Sequence, residues 1–477
     1  MAFCQYLLKF LCILFSRESK KTQHFSYCLV YRRTVASGSI EALMNTKILN
    51  WLKNNFKTRK DWGVALTALI PIALVVGRAP ADWIVSIVAV LFLFDRIVSR
   101  RWDWIKKPWV TAALLLWAYS VIRAAFIHDG GSGLFAAFVW LRYIVFAASL
   151  ADWGVADEKG RRWLLCALTG SVLFLSVDGI IQYVSGKDIF GHEFYPGNRL
   201  TGPYKRPLLG ITIANLFVPP IFWLLNRKNF LGSILVANIC FCTIYFSGER
   251  MAFIFSAIII LIWFSFLVYI NKKHWKYPSL AILFLAALMY FGQIFASPQE
   301  AISDRQLRST VETAKDISAS PYGLVWKSAW DVARTNPVFG VGMRQFRVAC
   351  TDERFGPINN PESSHPRCYT HTHNVYLEWF SEGGIVGLLG FIGFVLVVGI
   401  GLGRRLILHK ADLILWGLAA MLAVRLMPVF ISTSFFNNWS AIPFWLVLGW
   451  AMSYTPSLSQ QGAAPETIRK NSDASFS

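Results

Sequence analysis

Acidic residues are scarce in this chain of 477 residues, which has 27 Asp and Glu against 47 Lys and Arg and a net charge of +20. Charged residues of both signs make up only 16% of the sequence, whereas 55% of residues are hydrophobic. Runs that alternate apolar and polar residues are also lacking. Because only helices and closed barrels satisfy their backbone in lipid, continuous apolar runs indicate helices. The sequence predicts an all-α, polytopic helical membrane protein.

About 20 apolar helical residues are needed to cross a hydrocarbon core of about 30 Å. Twelve stretches come close to that length, and we expect about twelve transmembrane helices. The predicted spans are 62–77, 80–96, 108–127, 133–152, 163–183, 207–225, 230–247, 250–270, 277–296, 379–402, 411–431 and 438–454. The predicted organisation is an N-terminal segment (1–61), nine transmembrane helices (62–296), a large loop (297–373), three transmembrane helices (374–454) and a tail (455–477).

The basic excess is compatible with nucleic-acid binding or with membrane topology. The short loops on one side of the predicted bundle together contain 16 Lys and Arg, in the stretches 95–107, 156–162, 226–229, 271–276 and 403–410. The opposite short loops contain fewer. By the positive-inside rule, we expect the basic loops and both termini in the cytoplasm and the large loop in the periplasm. Membrane lipids, and no nucleic acid, are the partners that this pattern predicts.

The two ends of the chain carry no predicted function. Residues 1–15 are apolar but short for a crossing and lack a small-residue cleavage site. Met44 opens a basic, amphipathic stretch suited to the membrane surface. We expect translation to begin at Met44, with residues 1–43 untranslated or unstructured, and the polar tail after Thr455 to be disordered.

The large loop is expected to contain short helices, because structureless loops of this length are unusual. Trp326 and Trp330 recur at helical spacing before Asn336–Pro337 ends the pattern, and the GVG that follows reads as a turn. Cys350 and Cys368 are the two cysteines of this loop. An oxidising compartment permits a structural disulfide between them.

Several cations lie where topology disfavours them. Arg199, Lys205 and Arg206 cluster in the loop 184–206, where either an anionic ligand or lipid headgroups would explain them. Glu249 and Arg250 share a short turn. They either form a salt bridge, or the guanidinium is free to bind a phosphate with two parallel hydrogen bonds.

Arg142, Asp178 and Arg425 are ionisable residues that fall inside predicted spans. Charges at this depth are costly and rarely face lipid. They either pair with one another as structural contacts or line a polar cavity.

The stretch HTHN (371–374) lies directly before an apolar helix. Asn374 is a candidate N-cap, with Glu378 and Glu382 at i+4 and i+8 on one helix face. A helix N-terminus suits a phosphate. With a reference pKa near 6.5, His373 can act as a base near pH 7. An H-x-H pair such as His371 and His373 is by itself a weak signal for metal ligands, so we expect no metal site.

These motifs resemble the O-antigen ligase family, which shares its domain with O-antigen polymerases. His373-Asn374, nine residues and then Gly384-Ile-Val-Gly387 resemble the family's H-N-x9-G-x-x-G signature. Companion motifs are S-x-x-R (Ser247 to Arg250), W-x-x-A and P-x-x-G-x-G in the large loop, and RLTGPYKRP (199–207). The resemblance covers most of residues 60–455.

The resemblance implies a GT-C-like, metal-independent, inverting glycosyltransferase without a cofactor. It would transfer an undecaprenyl-diphosphate-linked glycan to a sugar hydroxyl of lipid A-core, or of another lipid-linked repeat, at the periplasmic face of the bacterial inner membrane. His373 would be the base and Arg250 would lie near the diphosphate. A second family arginine is expected shortly before Trp326, where this chain reads SPYG, so Arg305 or Arg308 is proposed instead.

The remaining candidate substrate-binding residues are Arg199, Arg206, His371, Asn374 and Glu378, the last of which could orient His371 or Arg250. Rival functions are an O-antigen or exopolysaccharide polymerase, an O-linked protein oligosaccharyltransferase and a polysaccharide transporter. Transporters often contain internal repeats. No convincing repeat is present in this sequence, and the reactive residues gather on one face, which disfavours transport.

Overall fold

The computed structural model describes residues 57–455 apart from 128–130, 156–157, 273–274, 295–310, 312, 314, 319, 356, 359–365 and 429–431. The described ranges are helical and contain no β-strand, only two isolated bridges between residues 187 and 199. The predicted all-α class is thereby confirmed. Residues 1–43, the tail after Thr455, Arg305 and Arg308 lie outside the described residues.

The helices run in chain order and are numbered here as they occur. They are α1 (Arg59–Val76), α2 (Arg78–Ser99), α3 (Pro108–Ala125), α4 (Gly131–Ser149), α5 (Glu158–Ser185), α6 (Leu209–Leu216), α7 (Val218–Asn226), α8 (Phe230–Phe246), α9 (Arg250–Ile270), α10 (Lys276–Ile294), α11 (Pro321–Thr335), α12 (Phe346–Ala349), α13 (Val375–Leu408), α14 (Leu413–Arg425) and α15 (Asn438–Ser453). A π-helical turn, Leu150–Gly154, extends α4.

Each of the twelve predicted spans overlaps one of these helices, with α6 and α7 sharing one span around Pro219 and Pro220. Among the described residues, six helical segments are long and apolar enough to cross a membrane, and three more are apolar but shorter. A multi-pass membrane protein follows, while the count of twelve stays a prediction.

One end of the bundle, here called the loop face, is formed by the described residues of 186–208, 247–249, 320–374 and 426–437. Backbone hydrogen bonds join these segments: Leu200 N–H donates to the Ser247 carbonyl at 3.2 Å, and Ser432 N–H to the His373 carbonyl at 2.8 Å. The segments that carry the candidate motifs therefore meet on one surface.

Aromatic side chains pack directly beneath the loop face. Trp379 of α13 stacks on Phe391 with ring centroids 5.5 Å apart, and Phe435 lies edge-on to Phe391 at 5.4 Å. Trp140 of α4 and Trp445 of α15 contact the same cluster. Rings of this size bury large areas, so the cluster fixes α4, α13 and α15 relative to the 432–437 segment.

The intramembrane charges do not pair with one another. Arg142 instead forms an ion pair with Asp82 of α2 at 2.8 Å. Asp178 accepts a hydrogen bond from the Ile189 amide at 2.9 Å, and Arg425 lines a cavity described below. Of the two alternatives that the sequence left open, mutual pairing is wrong and a cavity lining holds for Arg425.

Candidate active site

α13 is broken near its start, at the first glycine of the G-x-x-G pair. Gly384 has φ 63° and ψ −166°, a conformation that glycine adopts readily and other residues do not. The break leaves backbone N–H and C=O groups without helical partners. In a membrane bundle such groups must find partners within the protein.

The partners come from the P-x-x-G-x-G segment 337–342, here called the strap. Four backbone hydrogen bonds join the strap to the break: Val341 N to Ser381 O at 2.9 Å, Gly342 N to Glu382 O at 2.8 Å, Ile385 N to Pro337 O at 2.8 Å and Val386 N to Val338 O at 3.3 Å. A Cβ at Gly340 would overlap the Glu382 backbone. The GVG stretch turns as predicted, and it also docks the large loop into α13.

The HTHN stretch closes the N-terminus of α13. Asn374 is the N-cap: its Oδ1 accepts from the amides of Tyr376 and Leu377, while its Nδ2 donates to the Pro428 carbonyl at 2.6 Å. His373 is held in a left-handed conformation, with φ 55°. Asn374 is buried, and both its side-chain oxygen and its side-chain nitrogen are hydrogen-bonded within the protein.

The rings of His371 and His373 pack against each other, and two tyrosine rings pack against His373. The His371 and His373 ring centroids are 4.1 Å apart, and Tyr322 and Tyr369 stand edge-on to His373 at 5.6 and 5.7 Å. Burial lowers the pKa of His373 to about 4. Burial, then His373 and the cation of Arg347, lower the pKa of His371 to about 3. Both imidazoles are therefore neutral at pH 7, as a general base must be.

The two glutamates of α13 anchor loops. The Glu378 carboxylate accepts from Ser434 Oγ at 2.5 Å and the Phe435 amide at 2.8 Å. The sequence suggested that Glu378 could orient His371 or Arg250, but its carboxylate binds Ser434 and Phe435 instead. Glu382, one turn further, accepts from the Arg344 and Phe346 amides at 2.7 and 3.2 Å. The sequence did not reveal this second anchor, because its partners are distant backbone amides.

Arg250 begins α9 and donates to Thr313 Oγ1 at 3.4 Å. The carboxylate of its neighbour Glu249 turns to the first turn of α6, where it accepts from the Gly210 and Ile211 amides at 2.6 and 3.1 Å. The salt-bridge alternative for Glu249 and Arg250 is therefore wrong. Arg199 packs beside the same turn, since a Cβ at Gly248 would lie 3.3 Å from Arg199 Cγ.

A cavity of about 220 Å³ opens between α6, α9, α13, α14 and α15. Its polar lining consists of Asn215, Tyr322, His373, Arg425, Ser432, Thr433 and Ser440. The other walls are apolar and include Ile211, Met251 and Phe255. Because Met251 directly follows Arg250, the first turn of α9 reaches the cavity that His373 lines.

Residues that the sequence did not single out complete the loop face. Tyr322 lies in the SPYG stretch, where the resemblance expects an arginine, and it contacts His373. Arg347 is exposed and lies near His371, and Arg344, also exposed, lies near Arg347 and adopts φ 61°. A surface arginine carries no distinguishing pattern in sequence, so only the fold identifies these two.

The remaining predicted residues lie around this centre. Arg206 and Lys205 are exposed in the 186–208 segment. Cys350 and Cys368 form a disulfide, with Cα atoms 5.5 Å apart, that joins α12 to the approach to HTHN. Within the described part of the chain, no three His, Cys, Asp or Glu side chains converge as metal ligands would.

A family model described as O-antigen ligase matches residues 235–392. The matched segment runs from α8 into α13 and contains Arg250, the strap, His373 and the broken G-x-x-G pair. No curated protein matches the chain.

Proposed function

We propose that the protein transfers a glycan from undecaprenyl diphosphate to a sugar hydroxyl of lipid A-core, a proposal that the match of residues 235–392 to a family model described as O-antigen ligase supports. One observation carries the proposal: the neutral imidazole of His373 lines a cavity that the first turn of α9 also reaches. A base and the start of a cation-bearing helix share one partly apolar space, as a lipid diphosphate donor requires.

The reaction needs a base and a cation at opposite ends of the reacting bond. His373 accepts the proton of the acceptor hydroxyl, and the hydroxyl oxygen forms a bond to the anomeric carbon. The bond between that carbon and the diphosphate oxygen breaks, and undecaprenyl diphosphate leaves with the electron pair. Direct attack inverts the anomeric centre. Arg250 stabilises the charge on the leaving group, and a guanidinium does this without losing its own proton.

His371 and the other basic residues take supporting positions in this proposal. His371 packs against His373 and limits its rotation. Arg199 beside the 247–249 turn, and Arg206 further out, would contact the glycan or the diphosphate. The Cys350–Cys368 disulfide supports a periplasmic loop face, because such bonds persist in oxidising compartments.

The proposal is tested by His373→Ala in a strain that lacks the chromosomal copy. We expect O-antigen ladders on lipopolysaccharide gels to be lost, because general-base removal typically costs about 10²- to 10⁴-fold in rate. His409→Ala is the matched control, since His409 lies at the opposite end of α13 and contacts the Thr455 carbonyl. O-antigen ladders of normal intensity in the His373 variant would show that His373 is not the base.

A second arm separates a ligase from a polymerase. Deletion of a ligase should leave long glycan chains on the lipid carrier, whereas deletion of a polymerase should leave single repeats attached to lipid A-core. We expect the first result. Purified protein that moves the donor across vesicles but forms no glycosidic bond would favour the transporter alternative.

A further inference from the structure

Arg425 is the last residue of α14, and its guanidinium lines the same cavity as His373. Its Nη1 donates to the Ser440 carbonyl at 3.2 Å and its Nη2 to Asn215 Oδ1. Both partners are neutral. Among the described residues, neither a carboxylate nor any further acceptor is within reach of this guanidinium. Three of the five N–H donors of an arginine therefore have no partner in this part of the chain.

An arginine inside a helical bundle normally has its charge or its donors satisfied. Arg142 forms an ion pair with Asp82. Arg405 of α13 donates from Nε, Nη1 and Nη2 to the carbonyls of Tyr454, Gly401 and Met452. Within the described ranges, Arg425 has neither an ion pair of this kind nor three carbonyl acceptors, and it faces a cavity. Since an unbalanced charge at this depth is costly, an anion that enters the cavity would be bound strongly.

The position of Arg425 fits an anion that is attached to a lipid. Asn215 lies six residues into α6, which places the pair about 9 Å below the start of that helix. His373 stands before α13, at the loop face. The walls between them are apolar and include Met251, Phe255 and Phe444. The cavity thus holds a cation against Asn215 of α6 and the imidazole at the start of α13, with apolar surface around both.

We infer that Arg425 is a further donor-binding residue, which contacts the phosphate on the lipid side of the donor, with Asn215 as the positioning residue that holds its guanidinium. The inference rests on the proposed function and deepens it. Arg250 would bind the diphosphate from the loop face and Arg425 from inside the bundle. Two fixed arginines would then restrain the leaving group while His373 activates the acceptor.

The test measures binding rather than transfer. Purified wild-type protein, Arg425→Met and Arg425→Lys are titrated with undecaprenyl diphosphate that carries no glycan, and with inorganic diphosphate. We expect Arg425→Met to lower the affinity for the lipid diphosphate by about 10- to 100-fold, the effect of losing hydrogen bonds to a charged group. Arg425→Lys should recover part of it. Arg405→Lys is the control and should bind as wild type does.

The outcomes separate the inference from the proposed function. Wild-type affinity in both Arg425 variants would overturn the role of Arg425, whatever the His373 variant does. Equal wild-type affinity for inorganic diphosphate would overturn the assignment to a lipid-linked phosphate. If the Arg425 variants bind the lipid diphosphate less tightly while His373→Ala keeps full transfer activity, the anion site is supported and the role of His373 as the base is rejected. If Arg425→Met does not fold, Arg425→Lys and Asn215→Leu carry the test, with reduced affinity expected in both.

Discussion

Two intramembrane arginines of this protein are bound in different ways. Arg142 donates to both oxygens of Asp82 at 2.8 and 2.9 Å, and Tyr143 Oη donates to the same carboxylate at 2.8 Å. Arg425 donates to an amide oxygen and a carbonyl, and it faces a cavity. The first arrangement is electrically complete. The second lacks an anion.

The difference shows how to interpret charges in membrane helices. Depth alone marks both arginines as unusual, and sequence gives them equal weight. The partner decides: a bidentate carboxylate makes Arg142 a structural link between α2 and α4, whereas neutral partners leave Arg425 available to a ligand. Mutations at these positions should therefore change different properties.

The largest expected effect is on folding, at the Arg142 pair. Arg142→Met leaves the Asp82 carboxylate without its cation, and such a removal destabilises a protein by about 3 kcal/mol or more. Arg142→Met with Asp82→Asn should recover most of that loss, because the introduced amide is uncharged and its oxygen still accepts from Tyr143. Thermal unfolding in detergent measures both. If Arg142→Met were as stable as the wild type, the ion pair between Arg142 and Asp82 would not be a structural contact.

A medium effect is expected at the two anchoring glutamates. Glu382→Gln replaces one of the two accepting oxygens with an NH₂ group, which then faces a backbone N–H that cannot act as an acceptor, so we expect a loss of about 1–3 kcal/mol. Glu378→Gln should cost less, because the Ser434 hydroxyl can rotate and accept from the new amide. The same unfolding assay compares them, and a larger loss for Glu378→Gln would contradict this reasoning.

The glutamate pair also distinguishes stability from activity. Glu378 holds the 432–437 segment, whose Ser432 and Thr433 line the cavity. Glu382 holds the strap end of the large loop. Glu378→Gln should therefore raise the KM for the lipid donor while it changes stability little. Glu382→Gln should show the opposite pattern, with a clear loss of stability and a small change in KM.

Local patterns predicted much of this architecture from sequence. Continuous apolar runs located the helices, Trp326 and Trp330 located α11, and Asn374 was identified as the N-cap of α13. These features depend on residues close in the chain. The positive-inside rule predicts the orientation, which stays a prediction.

The site depended on contacts that local patterns do not encode. The strap fits the break at Gly384 through backbone groups, which have no sequence signature beyond their glycines. Tyr322 reaches His373 across 51 positions of sequence. Glu249 has the Arg250 neighbour that suggests an ion pair, but it caps α6 instead. Partner choice over such separations is decided by packing, which a single sequence does not show.

The smallest expected effect is in the pH dependence. Because burial lowers the pKa of His373 to about 4, the imidazole stays unprotonated as pH falls from 7 to 5, and it loses its function as a base only below that. The acid limb of kcat/KM, which reports the free enzyme, should therefore lie near pH 4 rather than near the ordinary value of about 6.5.

The acid limb of kcat should lie higher than that of kcat/KM, since a bound diphosphate anion favours the imidazolium. Arg142→Met with Asp82→Asn is the control and should leave both limbs unchanged, because that pair does not line the cavity. Stability should also decrease toward acid. The histidine of the unfolded chain binds a proton near pH 6.5, whereas that of the folded chain does so only near pH 4, so the free energy of unfolding falls as pH drops from about 6.5 toward 4. An acid limb of kcat/KM near 6.5 in the wild type would place the reactive base elsewhere than in this buried pair.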